Sequence, residues 1–195
     1  MNKTCLPLSK SDYELLISTI RNGYILDGHK VRGNQRVASA LVCEACTGLR
    51  IGDVLRLKLT SIAKIDDNLY FNLVEEKTKK RRSWPFSNDL YVMLQDYAIT
   101  RHISKDEKLF DIKERQVSRV LESAVKYLNW QDKNIGTHSF RKMYASHIYD
   151  NTDHNIFLTS QALQHSNVTV TQHYLNITPE ELKAVLEDTV NHFIM

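Results

Sequence analysis

The chain has 195 residues, enough for one domain with a real core or at most two small ones. Lys and Arg number 26 against 23 Asp and Glu, so the formal net charge of +3 identifies no partner by itself. Three cysteines are too few and too odd in number for a disulfide scaffold, which excludes that class of small secreted domain. No signal peptide and no apolar run near ~18 residues is visible, so nothing calls for secretion or a membrane span, and the expected setting is reducing and cytoplasmic.

In chain order, Ser11-Asp12-Tyr13-Glu14 has capping-box spacing, and Leu15, Leu16, Thr19 and Ile20 carry a helix on until Gly23 and Gly28 break it. Asn34 to Cys46 predicts a second, well-buried helix stopped by Gly48. Cys43 and Cys46 lie in it and read as buried free thiols, because no second cysteine pair exists to complete a zinc site. Ile51 to Leu57 predicts a short third helix, with Arg50 just ahead of it.

Ser61 to Ile65 and Leu69 to Val74 read as strands around the turn Asp66-Asp67-Asn68, and Ser83 to Phe86 as a further strand stopping at Pro85. Between them, Lys77 to Arg82 holds five basic residues in six. Taken alone this is a solvated turn; as a local basic patch on a near-neutral protein it is also compatible with DNA contact at one face.

Asn88-Asp89 can cap a helix from Leu90 to Thr100, Lys108-Leu109-Phe110 marks a packed connector, and Arg115 to Trp130 predicts the next helix. Val117, Val120, Leu121, Ala124, Val125 and Leu128 form its buried side. Helices are also expected over His138 to Tyr149, over Ile156 to Gln164 started by Asn155, and from Pro179 to about His192. The fold class is α+β, mainly α-helical, as a single domain over 1–195 with a small antiparallel sheet.

The stretch Thr137-His138-Ser139-Phe140-Arg141, then Leu163-Gln164-His165 and Tyr174, groups two imidazoles, a guanidinium and a phenol. This set suits an oxyanion better than a metal. Arginine forks onto phosphate oxygens, histidine donates a hydrogen bond or moves a proton, and tyrosine is a nucleophile once its proton has somewhere to go.

These motifs resemble the C-terminal motifs of the tyrosine recombinases, the phage-integrase family. Thr47-Gly48-Leu49-Arg50-Ile51-Gly52-Asp53 is similar to the family's first-arginine motif, and Glu76-Lys77-Thr78 through Arg82 and Pro85 to its lysine-bearing β-hairpin. The ordered set runs from about residue 6 to residue 190. Gly52-Asp53 stands where relatives commonly carry Ser-Glu; the carboxylate is kept, to anchor Arg50 or cap the short helix.

The resemblance implies a tyrosine recombinase catalytic domain with Arg50, Lys77, His138, Arg141, His165 and Tyr174 as catalytic residues. Lys79 and Lys80 are the alternatives to Lys77. The basic residues Lys79, Lys80, Arg81 and Arg82, and Arg115, Gln116 and Arg119 on the helix after the connector, are expected to touch DNA. The implied activity is site-specific cutting and rejoining of double-stranded DNA through a 3′-phosphotyrosyl intermediate, with neither cofactor nor metal, in integration or excision of a mobile element.

The implied partners are DNA recombination sites, further copies of the chain in a tetramer on DNA, and accessory DNA-bending proteins. Most relatives carry an N-terminal helical domain ahead of the catalytic one, so the chain reads either as a fragment or as a naturally short recombinase. The alternative reading is a DNA-binding regulator or accessory factor with weak or no cleavage.

Overall fold

The structure is a computed structural model that describes residues 5–77, 79, 81–82, 85–165 and 167–175, with only the backbone for residues 82, 173 and 174. Lys80, Ser83, Trp84 and the helix expected from Pro179 lie outside the described residues. The chain forms two compact units, Met1–Tyr144 and Ala145–Met195.

In the first unit, α1 (Lys10–Asn22) is capped by Ser9, whose hydroxyl accepts from the Asp12 N–H at 3.1 Å. The helix therefore starts before Ser11, which lies inside its first turn rather than at its cap. Beyond it the chain does not simply break. Gly23–Leu26 (β1) and His29–Arg32 (β2) pair antiparallel. Asp27 and Gly28 turn the corner with φ of 51° and 76°, the two left-handed residues that suit a tight hairpin. Tyr24 fixes this hairpin to the molecule by stacking on Tyr127 and donating a hydrogen bond to the Ser123 hydroxyl at 2.8 Å.

Helix α2 (Gln35–Thr47) is the centre of the unit. Val37, Ala38, Ala40, Leu41, Cys43, Glu44 and Thr47 are all buried, so it is enclosed on several sides rather than along one stripe. Cys46 departs from expectation: it lies on the side of α2 that the buried positions leave open, and is exposed. Gly48 ends α2 in the left-handed conformation, with φ of 60°. Helix α3 (Ile51–Val54) is one turn long, shorter than the seven residues expected, because Leu55 to Leu57 already turn away through single hydrogen bonds.

Strands β3 (Ile62–Ile65) and β4 (Asn68–Phe71) form the expected hairpin. A short strand β7 (Pro85–Phe86) completes a sheet in the order β3-β4-β7, pairing Leu69 with Phe86 and Tyr70 with Pro85. Proline thus lies within the pairing instead of ending it, which the sheet edge permits because no ladder N–H is needed on the outer side. Leu73–Val74 (β5) and Arg81–Arg82 (β6) pair antiparallel as a separate ribbon whose connection carries Lys77.

Helix α4 (Asn88–Thr100) is capped by Ser87, one residue ahead of the expected Asn88-Asp89 pair. Leu109 and Phe110 are buried in the connector, as expected. Helix α5 (Glu114–Tyr127) buries Val117, Leu121, Ala124 and Val125, while Arg115, Gln116 and Arg119 are exposed. It ends short of Trp130 because Asn129 takes a left-handed conformation. Helix α6 spans Thr137–Asp150, and its Phe140 packs edge-on against Tyr13 in the core of the first unit.

The second unit contains α7 (Ile156–Leu163) and α8 (Val168–Leu175). Asn155 caps α7 by accepting from the N–H groups of Phe157 and Leu158, both at 3.1 Å. Gln164 ends it with a left-handed φ of 52°. Helix α8, which carries Tyr174, is not among the expected elements: Val168, Thr169, Val170 and Thr171 are β-branched and read locally as poor helix formers.

Candidate active site

The first unit positions four of the six expected catalytic residues. Arg50 stands in the extended residue between the left-handed end of α2 and the first turn of α3. That placement follows from Thr47-Gly48-Leu49: the Thr47 hydroxyl donates to the Cys43 carbonyl at 2.7 Å and accepts from the Leu49 N–H at 3.2 Å, closing the helix end. Arg50 Nη1 then donates to Glu75 Oε2 at 2.8 Å, an ion pair whose acidic partner is wholly buried. Asp53, expected to anchor Arg50 or cap α3, does neither. Its Oδ1 accepts from the Glu76 N–H at 2.8 Å and from Arg56 Nη2 at 2.5 Å.

These bonds fix the basic ribbon. Arg56 also donates to the Val74 carbonyl at 3.1 Å, so Val74, Glu75 and Glu76 are each tied to the segment 50–56. Lys77 follows directly. It is exposed and, with Arg50, Ile51, Gly52, Asp53, Glu76, Glu114 and His138, lines a cleft of about 260 Å³. Lys79, the alternative, is exposed with a left-handed φ of 56°; its N–H donates to the Glu75 carbonyl at 3.0 Å, and it does not line the cleft.

His138 sits in the first turn of α6 and faces solvent at the cleft. Partial desolvation lowers its pKa from the ordinary value, and the charges of Arg141, Arg50, Lys77 and Lys142 lower it further. The imidazole is therefore neutral at neutral pH and able to accept a proton. One turn on, Arg141 is held differently. It is completely buried, and its Nη1 donates to the Gly48 carbonyl. The structure thus brings Arg50, Lys77 and His138 together on one cleft and keeps Arg141 in the adjacent core, close enough to act on the His138 charge.

His165 and Tyr174 belong to the second unit. His165 follows the left-handed Gln164, its N–H donates to the Ser160 carbonyl at 3.0 Å, and its Nδ1 lies 2.9 Å from the hydroxyl of buried Thr171. This bond holds the ring through Nδ1. Tyr174 lies in α8, and its side chain is outside the described residues.

Of the residues expected to touch DNA, Lys79, Arg81, Arg115, Gln116 and Arg119 are exposed. Arg81 Nη2 donates to Asn72 Oδ1 at 2.6 Å, and Gln116 Oε1 accepts from the Lys113 N–H at 2.9 Å. The side chains of Lys80 and Arg82 lie outside the described residues. Sequence reasoning missed Glu75 and Arg56. The signal was present in Val74-Glu75-Glu76-Lys77: two carboxylates beside a basic run, in a strand end that must pass the arginine segment.

The chain is 29% identical over 145 residues to the probable integrase/recombinase YoeC of Bacillus subtilis, covering 71% of this chain and 76% of that protein. It is 29% identical over 154 residues to the tyrosine recombinase XerC of Leptospira interrogans, covering 75% of this chain but 48% of the relative. The chain therefore spans about half the length of that curated relative.

Among solved structures, the XerH site-specific recombinase bound to difH substrate superposes with a TM-score of 0.67 at 16% identity, over 95% of this chain and 55% of that one. The catalytic domain of bacteriophage HP1 integrase does so with a TM-score of 0.59 at 22% identity, over 94% and 95%. Both show the same mainly helical fold with small antiparallel sheets, that of a tyrosine recombinase catalytic domain. The model of the phage integrase family matches residues 7–181, and the chain belongs to that family.

Proposed function

We propose that this protein is a site-specific DNA recombinase that cuts and rejoins strands through a covalent tyrosine–DNA intermediate. The observation that carries the reading is the cleft shared by Arg50, Lys77 and neutral His138, in a chain of this family that keeps Arg141, His165 and Tyr174 in order.

In this reading the Tyr174 phenolate attacks a backbone phosphorus, and the bond from phosphorus to the deoxyribose 5′ oxygen breaks. A phenol with a pKa of about 10 is a weak nucleophile at neutral pH. His138 accepts its proton, for which a neutral imidazole is required. Arg50 and Arg141 neutralise the two non-bridging oxygens as charge builds in the five-coordinate transition state, and neither loses its proton at working pH. His165 donates a hydrogen bond to one of those oxygens. Lys77 donates the proton that the departing 5′ oxygen needs. The phosphotyrosyl bond conserves the energy of the cleaved linkage, so attack by another 5′-hydroxyl rejoins strands without a nucleotide cofactor.

The substrate would be double-stranded DNA carrying specific recombination sites, bound by several copies of the chain as a tetramer, with DNA-bending accessory proteins as further partners. Integration or excision of a mobile element is the proposed biological use. XerC-type relatives and the difH-bound XerH structure support the broader class of site-specific recombination. Lys79, Lys80, Arg81 and Arg82 of the ribbon and Arg115, Gln116 and Arg119 of α5 are the proposed DNA contacts.

The test is a duplex nicked near the cleavage point, incubated with wild type and with Tyr174→Phe without added metal. The expected result is a covalent protein–DNA adduct on a denaturing gel for wild type and none for the variant. Measurable DNA binding with no adduct on any candidate site would move the protein to the regulator class.

A further inference from the structure

One carboxylate of the cleft has no part in the chemistry of cleavage and rejoining. Glu114 opens α5 and lines the cleft with Arg50, Lys77 and His138. An acid in a first turn suits the helix itself, since it meets the positive end of the helix dipole. That account leaves its position unexplained. The Glu114 side chain reaches across to α3, where its Oε1 fills the space that a Cβ on Gly52 would take. The carboxylate thus rests on bare backbone, two residues from Arg50. Among the described residues, the ion pairs of this region join Arg50 to Glu75 and Arg56 to Asp53 and Glu76, and leave Glu114 out.

We propose that Glu114 sets the specificity of the cleft: its carboxylate, resting on Gly52, repels the anions that Arg50 and Lys77 attract, so that only a phosphate delivered by a duplex docked along α5 reaches them.

Two cations on one small cleft attract any anion, whatever carries it. An anion inside a cleft of about 260 Å³ stays within about one Debye length of its walls, ~8 Å at physiological ionic strength, so salt screens the repulsion from Glu114 only in part. Discrimination then comes from the next residues of the helix. Arg115, Gln116 and Arg119 are exposed on α5, and a duplex held by them can offset the cost of seating a phosphate beside a carboxylate. A loose anion makes no such contacts. The missing side chain at position 52 gives the carboxylate its place, and a Cβ there would move only the far end of a flexible side chain. The proposal rests on the recombinase reading only for the identity of the phosphate.

The test uses the full chain as wild type, Glu114→Gln, Gly52→Ala and the double variant. Inorganic phosphate is the probe, at constant pH and ionic strength, and the NMR signals of the His138 ring report its entry into the cleft. Glu114→Gln is expected to bind phosphate about 3- to 10-fold more tightly, the effect of removing one like charge across a cleft of this width. Gly52→Ala keeps every charge and displaces the carboxylate. It is expected to give part of that gain, and no further gain once Glu114 is Gln. Asp67→Asn removes the same charge at the exposed β3–β4 turn and should bind as wild type does.

Equal tightening in Asp67→Asn overturns the proposal, because net charge would then decide. So does a Gly52→Ala variant without gain, or one whose gain persists in the Glu114→Gln background. Phosphate that leaves the His138 ring undisturbed in every variant overturns it as well. If Gly52→Ala does not fold, Glu114→Gln against Asp67→Asn decides alone.

A nicked duplex of random sequence completes the test. Glu114→Gln should form more adduct on it than wild type, by a similar factor of about 3 to 10. Adduct from wild type with no rise in Glu114→Gln overturns the role in specificity. An adduct absent from wild type and from every variant counts against the recombinase reading, and the phosphate affinities, which need neither DNA nor Tyr174, then decide on Glu114 by themselves.

Discussion

His138 shows how partial burial and neighbouring charge together set the chemistry of one residue. Desolvation makes the imidazolium less favourable, and the four positive neighbours act in the same direction. The site thus presents a proton acceptor at neutral pH, and activity should fall as pH drops through the lowered His138 pKa, below about 6.5. His138→Gln should flatten that acidic limb and slow adduct formation by ~100-fold. An acidic limb that persists in His138→Gln would assign it to another group. Stability carries the same sign: the unfolded chain takes up the proton first, so the native state loses stability as pH falls from about 6.5 to the folded value, and the variant should not.

Gly48 is a second residue whose chemistry is set by its surroundings. At φ of 60° a side chain is strained, and a Cβ there would lie 2.3 Å from the Tyr144 ring. Gly48→Ala should therefore lower stability by about 2 to 3 kcal/mol in denaturant unfolding, combining left-handed strain with a clash against an aromatic ring. Because the Gly48 carbonyl also receives Arg141, adduct formation should fall even at temperatures where the variant is folded. Full activity in the folded variant would show that Arg141 does not depend on this turn.

At the scale of elements, the basic ribbon is anchored at its base. Val74, Glu75 and Glu76 each make a bond to the segment 50–56, and Lys77 is the next residue out. Glu75 is the buried half of its pair with Arg50, and removing it deprives a partly exposed guanidinium of its acid, so Glu75→Ala should cost about 1 to 3 kcal/mol. Asp53→Ala should act more on catalysis than on stability, since it frees the Glu76 N–H and lets the Lys77 strand drift. A DNA leaving group that needs no protonation, such as a 5′-bridging phosphorothiolate, should restore Asp53→Ala. Failure of that rescue would place the defect elsewhere than at Lys77.

The legible elements are those with a pattern of their own length. The α2 and α5 stripes, the β3–β4 turn at Asp66 and the Asn155 cap can be read because propensity, periodicity and capping agree there. Helix α8 is not legible, because the β-branched run Val168 to Thr171 argues locally for a strand and helical order comes from packing on α7. The β1–β2 hairpin escapes the sequence reading although Asp27-Gly28 announces it; two glycines read as breakers when one of them is a turn residue. In the candidate site, the residues with motif neighbours are the ones that the sequence singles out. Glu75 shows in the sequence only as a carboxylate beside a basic run, because its partner Arg50 lies 25 residues back and nothing local announces the pairing.

At the scale of the whole molecule, a near-neutral chain has to meet a polyanion through the distribution of its charge. A net charge of +3 gives little long-range attraction, so binding should depend on a few local phosphate contacts. Arg115 and Arg119 occupy the exposed side of α5, opposite Val117 and Leu121. Removing a single phosphate-neutralising cation from the interface should reduce the slope of log affinity against log salt by about 0.9.

Arg119→Glu should therefore weaken binding to duplex DNA and lower that slope by the amount that one neutralised phosphate contributes. Lys30→Glu, on the exposed β2 strand, changes the net charge by the same amount outside the proposed interface. It should leave the slope unchanged and shift affinity only slightly. Fluorescence anisotropy over a salt series separates the two cases. Equal weakening in both variants would mean that the protein binds DNA through its overall charge and that α5 has no special place in the interface. Weakening confined to Arg119→Glu would put the DNA backbone against α5, whose first turn contributes Glu114 to the cleft shared by Arg50, Lys77 and His138.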